Sequence, residues 1–190
     1  MPAPEFKVNT YRYDPYRNFK FRVKWGAIGG AMHYVMGVTN VSGLTRQTQS
    51  IPYRSGGDPS TQRALPGQTS YQPITFQQGV THDLDFEIWA NKVWDYSNST
   101  QAPDKATNLV SLKDFRKDMV IELYNLAGQK VIAYNVYRCW ISQYTAMPDL
   151  DAMGNVVAIR SITVENEGWE RDNSVAEPTE GSFDLPQANP

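Results

Sequence analysis

One cysteine and two histidines are all the thiol and imidazole chemistry available to these 190 residues. Cys139 has no partner for an internal disulfide and no nucleophile signature around it, so it reads as a small apolar filler. His33 and His82 lack a neighbouring Cys or carboxylate pair at ligand spacing. Zinc normally recruits three or four such groups, which leaves no metal site to expect. Net charge is as scarce: a formal -2 with acids and bases interspersed gives no footprint for nucleic acid or an anionic membrane. Long apolar runs are missing too. No stretch approaches the ~20 residues of a spanning helix, and Met1 to Asn18 has no apolar signal-peptide core. The expectation is a protein made soluble in the cytoplasm.

The usual catalytic constellations are also wanting. Gly26, Gly29 and Gly30 are followed by neither GK[ST] nor a helix start, so they read as hairpin glycines and not a phosphate loop. Asp83, Asp85 and Glu87 suit the positive end of a helix dipole better than an acid pair. No enzyme activity and no cofactor are expected. Aromatics, by contrast, are plentiful: Tyr11, Tyr13, Tyr16, Trp25, Trp94, Trp140 and Trp169 suit core and interface packing at least as well as a carbohydrate platform.

What is present is strand patterning. Phe19, Phe21, Val23 and Trp25 alternate with Lys20, Arg22 and Lys24, and Met32 to Ser42 follows a Gly-rich turn, predicting a hairpin. Met119 to Tyr124 and Gln129 to Trp140 predict a second hairpin, turning at Ala127 and Gly128. Apolar residues on both faces of Val131 to Trp140 predict burial on both sides. Ser70 to Gln78 reads as a half-buried strand, and Val156 to Glu165 as the last one. Between Ser55 and Gln68 the composition predicts a polar loop of about 14 residues, a length that usually carries function. Ser97 to Asn108 reads as a second polar connection, ending in a short turn at Ser111 to Phe115.

The period changes after Gly79. Phe86, Trp89, Ala90, Val93 and Tyr96 share one helical face, with Thr81 as the expected N-cap, and predict one main helix with a buried stripe. Leu84 and Ile88 lie off that stripe and suit a second contact, with a loop or another subunit. The fold class is mainly β (α+β): about seven strands in an antiparallel barrel or sandwich of two packed sheets, flanked by the helix. One domain is expected over 19–172, after an arm over 1–18 and before a flexible tail over 173–190. Apart from Pro73, little edge Lys or Pro guards its strands, so closure against identical neighbours is a physical way to satisfy them.

In order along the chain, Asp14-Pro-Tyr-Arg-Asn-Phe-Lys-Phe-Arg-Val23, Val41-Ser-Gly-Leu44, Tyr53-Arg-Ser-Gly-Gly57, Leu65-Pro-Gly67 and the run Ile74 to Trp89 form a recognisable set. It continues in Leu150-Asp-Ala-Met-Gly-Asn-Val-Val-Ala-Ile159 and Glu165-Asn-Glu-Gly-Trp-Glu-Arg-Asp172. The set resembles the inner tube proteins of contractile phage tails and tail-like contractile injection systems, relatives of the type VI tube protein Hcp. The resemblance implies a structural subunit whose six-membered rings close one β-barrel around a channel and stack into a tube. The implied partners are copies of itself, a sheath protein, baseplate and tube-initiator proteins, and effector cargo in the lumen. Ring-stacking contacts are expected from Tyr11, Tyr13, Arg54, Gly56, Gly57, Asp58, Arg63, Trp169 and Arg171, as segments outside the barrel strands. The alternatives are a monomeric β-sandwich binding carbohydrate or protein, and a single-ring baseplate or tube-initiator paralogue.

Overall fold

The computed structural model describes residues 15–94 and 114–178. Within them lie ten strands where about seven were expected: β1 Phe21–Ala27, β2 Met32–Val35, β3 Val38–Val41, β4 Arg46–Tyr53, β5 Arg63–Tyr71, β6 Ile74–Gly79, β7 Lys117–Tyr124, β8 Lys130–Thr145, β9 Ile159–Glu165 and β10 Gly168–Arg171. The helix α1 spans Asp85–Val93. All pairings are antiparallel. One hydrogen-bonded path runs β2-β1-β7-β8-β9-β6-β3, with β10 also on β8, while β4 and β5 form a separate two-stranded sheet.

Much of the strand excess comes from stretches expected to be single strands that divide. Met32 to Ser42 breaks at Met36 and Gly37, where Gly37 takes φ 71°, a left-handed conformation that suits glycine. The chain thereby leaves β1 and joins β6, so β2 and β3, the two ends of the path, are neighbours in sequence. Ser70 to Gln78 breaks at Gln72 and Pro73, since proline has no amide to continue a ladder. Tyr71 ends the separate hairpin and Ile74 begins the sheet. The first strand opens at Phe21, leaving Phe19 in an exposed turn. The last expected strand opens at Ile159, leaving Val156 and Val157 in an exposed loop.

β8 links two layers, one formed with β1, β2, β7 and β10 and the other with β3, β6 and β9. Its first part pairs with β7 and β10, its last part with β9. The register steps from Lys117↔Cys139 to Met119↔Val136, so Asp118 faces two residues, a β-bulge. Arg138 in that bulge has φ 52°, and its amide donates to Asp118 Oδ1 at 2.8 Å. Bulges of this kind let one strand turn from one sheet into the next. Burial on both faces of β8 holds for Val131, Ala133, Val136 and Cys139. Burial also pushes the Cys139 thiol up, away from reactivity, as its filler role requires.

The core forms between the layers and the helix. Trp25 lies at its centre, with ring centroids 4.9 Å from Trp89, 5.5 Å from Phe86 and 6.4 Å from Phe76. Phe86 and Trp89 are fully buried, as the helical stripe predicts, and Ala90 and Val93 are half-buried. Tyr96 lies outside the described residues. The expected Thr81 cap is not formed. Leu84 occupies the cap position without a side-chain bond, and Asp83 Oδ1 instead accepts from the Asp85 amide at 3.0 Å. Asp83 already sits in a turn whose amide reaches Thr81 Oγ1, so the earlier residue caps the turn and not the helix.

Candidate assembly surfaces

The polar loop expected over Ser55 to Gln68 is shorter than that, because its last six residues, from Arg63, belong to β5, where Tyr53↔Arg63, Ile51↔Leu65 and Thr48↔Thr69 stand opposite. Alternating Gln, Thr and Ser in Arg46–Tyr53 was the available clue. Pro66 and Gly67 in the return strand concealed it, and they sit beside the register shift between Thr48 and Ser50 where a ladder tolerates them. The hairpin is exposed along almost its whole length. Ile51, Tyr53 and Leu65, each about half-exposed, give its outer part apolar surface.

The connection at its tip is a built turn. The Asp58 amide donates to the Ser55 carbonyl at 3.0 Å, and Asp58 Oδ2 accepts from the Ser55 amide at 2.9 Å. Arg63 closes it through a 2.9 Å ion pair to Asp58 Oδ1, and Arg54 donates to the Asp58 carbonyl at 3.4 Å. Gly56 and Gly57 complete the turn, so five of the expected contact residues come together here. Trp169 and Arg171 do not join them. They lie in β10, which contradicts their expected place outside the strands. The register of Trp169↔Val136 continues that of β9 on β8, so the short segment is the resumption of an interrupted strand. Trp169 packs between Tyr71 at 6.2 Å and Tyr134 at 5.8 Å, at the hairpin's root. Tyr11 and Tyr13 lie outside the described residues.

Two further surfaces were not foreseen. On the sheet face away from the core, Glu122 is buried among cations and phenols: Lys24 Nζ at 2.8 Å, Tyr124 Oη at 2.8 Å, Tyr34 Oη at 3.3 Å and Lys130 Nζ at 3.7 Å. Burial would raise its carboxyl, but the bonds from Lys24 and Tyr124, with the nearby Lys130 charge, hold it below the usual carboxylate value. The Glu122 bond raises Lys24 in turn. Only the cross-strand register Lys24↔Val120 and Arg22↔Glu122 brings these residues together, and that register is not readable locally. Beside the hairpin root, an open groove of about 720 Å³ is lined by Phe19, Phe21, Val41, Leu44, Ile121 and Trp169, among others.

The sheet borders are open among the described residues. The outer edges of β2 and β3 have no strand partner, nor do those of the hairpin. Leu84 and Ile88, off the buried stripe of α1, are both about half-exposed. No described group of His, Cys, Asp and Glu could hold a metal, and no described helix is long and apolar enough to cross a membrane.

A family model described as T4-like virus tail tube protein gp19 matches residues 17–170. No curated protein matches the chain detectably in sequence. Among solved structures, a chain of the extracellular contractile injection system PVC sheath-tube complex in its extended state is 27% identical, with TM-score 0.61, covering 83% of this chain and 91% of that one. A chain of the anti-feeding prophage tube-terminating cap is 26% identical, with TM-score 0.63, covering 90% and 98% respectively. A chain of the anti-feeding prophage baseplate, 17% identical with TM-score 0.67 over 84% of this chain and 97% of that one, shares the fold.

Proposed function

We propose, from the premise that this chain belongs to the T4-like virus tail tube protein family, that it is a structural tube subunit whose copies close into six-membered rings that stack. The observation that carries this is the pair of unpartnered borders at β2 and β3 in a fold that matches tube-protein structures nearly end to end. An exposed edge of backbone donors and acceptors is a template for another chain. Copies arranged around an axis would satisfy both borders at once. The apolar groove beside Trp169 adds surface of the kind that permanent assemblies bury, commonly roughly 2,000 Å² or more per interface.

In this reading the unit over 19–172 assembles, and the arm over 1–18 and the tail over 173–190 flank it. The work is mechanical and needs no catalysis or cofactor. A sheath drives the tube, baseplate and initiator proteins seat it, and cargo travels in the lumen. Assembly takes place in the cytoplasm. The turn at Arg54, Gly56, Gly57, Asp58 and Arg63 serves ring stacking, since it is built, exposed and unused by the subunit itself.

Negative-stain imaging of the purified protein at high concentration tests the reading. Rings or rods are expected. A monodisperse monomer at every concentration would overturn it in favour of a monomeric sandwich. Deleting Gly56 to Arg63 is expected to leave folded rings or monomers and abolish rods. Rods of normal length after that deletion would remove the stacking role.

A further inference from the structure

The loop between β8 and β9 exposes apolar side chains to an unusual degree. Exposure runs from 58% at Met147 through 75% at Leu150 to 95% at Met153, with Val156 and Val157 also bare. Met153 is held outward by a turn: its amide donates to Asp151 Oδ1 at 3.0 Å, and the Gly154 amide donates to the Asp151 carbonyl at 3.1 Å. An exposed apolar patch of this kind marks an interaction site, and methionine adapts well to the surface it meets.

The register of β6 fixes where this loop lies relative to the β4-β5 hairpin. Ile74, at one end of β6, follows the hairpin's last strand after two intervening residues, and Gln72 donates back to the Thr45 carbonyl there. Gly79, at the other end, stands opposite Ile159, and Val80 donates to the Ala158 carbonyl of the loop. The hairpin's root and the loop are therefore separated by the length of β6, about 17 Å at ~3.4 Å per residue. Their charges are complementary. From Arg46 to Tyr71 the hairpin has three arginines and one aspartate, while Ala146 to Ala158 has Asp149 and Asp151 and no basic residue.

We infer that the β8-β9 loop is the receptor for the β4-β5 hairpin of a second copy in the next ring: Ile51, Tyr53 and Leu65 meet Met147, Leu150 and Met153, and Arg54 faces the two aspartates. This rests on the stacking reading above and names the surface that the hairpin takes. The contact joins unlike surfaces rooted at opposite ends of β6, which gives a heterologous interface that propagates along an axis. Opposite charge at its rim sets register and rate of docking more than strength.

Cross-linking tests it. Leu65→Cys and Met153→Cys combined in one chain, treated with a short bis-maleimide, are expected to give a covalent ladder extending beyond six subunits. Each single variant is expected to give none, and Cys139 is buried away from the reagent. A ladder that stops at six would show a contact within one ring, and rods with no ladder would show none at all; either overturns the inference. Independently, Asp149→Lys, which leaves the Asp151 turn intact, should shorten rods at least fivefold at low salt, and adding Arg54→Glu should restore length. Rods of unchanged length in the loop variant overturn the receptor assignment and leave the tube reading standing. A wild type that makes neither rings nor rods overturns both.

Discussion

Replacing Trp89 by Ala should remove about 4 kcal/mol of stability. A buried tryptophan takes roughly 150–250 Å² from water, or ~4–6 kcal/mol at 25 cal/mol per Å², an upper figure because the unfolded chain is partly compact. Core Trp truncations cost about 3–5 kcal/mol. Trp89 is fully buried, packs against Trp25 with its ring tilted by 59°, and its indole donates to the Phe115 carbonyl at 2.8 Å. The bond adds about 1 kcal/mol to what the substitution removes. A nine-residue helix is far below the ~12–15 residues that are even marginal in isolation, so α1 depends on this packing. For a chain of this size the melting midpoint should fall by about 8–16 °C. Trp89→Phe keeps the ring and loses the donor, and should cost about 1–2 kcal/mol. Urea unfolding followed by far-UV circular dichroism measures both. An Ala variant within 1 kcal/mol of wild type, or a Phe variant as costly as the Ala one, would refute this account of the helix.

Glu122→Gln should cost about 2 kcal/mol at pH 7, the range of a hydrogen bond to a charged group. Because its folded-state pKa is depressed, that stabilisation is full above the ordinary carboxylate value and fades as pH falls through the folded one, so the urea midpoints of wild type and variant should converge in acid. Lys117 is lowered to about 8 by burial and by the Lys92 charge, offset in part by Asp85, and its ammonium lies 4.8 Å over the Trp89 ring. Its unfolded form binds the proton more tightly, so stability should rise between pH 8 and about 10; Lys117→Met should be more stable by about 1 kcal/mol at pH 7, after allowing for screening, and should lose that pH dependence in thermal melts. Gly26→Ala should break the β1-β2 pairing, since the new methyl would sit 2.4 Å from the Ala31 carbonyl oxygen; loss of amide hydrogen-exchange protection at Met32 to Val35 reads this, and unchanged protection would contradict it.

The elements whose partners are near in sequence were the ones that could be read. The β7-β8 hairpin and the Phe86 and Trp89 stripe follow from local alternation and period, and a loop around Asp58 from its Pro and Gly content, while its individual contact residues were named through the family resemblance. What could not be read depended on distant pairing. Strand β10 exists because the chain after Glu165 resumes its register on β8, and nothing in Gly-Trp-Glu-Arg announces that. Likewise Val156 and Val157, ideal strand formers, are bare because pairing with β6 begins only at Ile159. The Glu122 cluster joins β1, β2, β7 and β8, residues up to about a hundred positions apart in the chain.

The sixteen residues of β8 have a mechanical consequence. Since one uninterrupted backbone is laced into both layers, a push on one layer reaches the other through peptide bonds as well as through side-chain packing. Sliding the layers past each other would require shearing the β7 or β9 ladder all along its length instead of peeling it one rung at a time. The bent strand therefore acts as an internal brace, suited to a part that is loaded end-on in a single stroke.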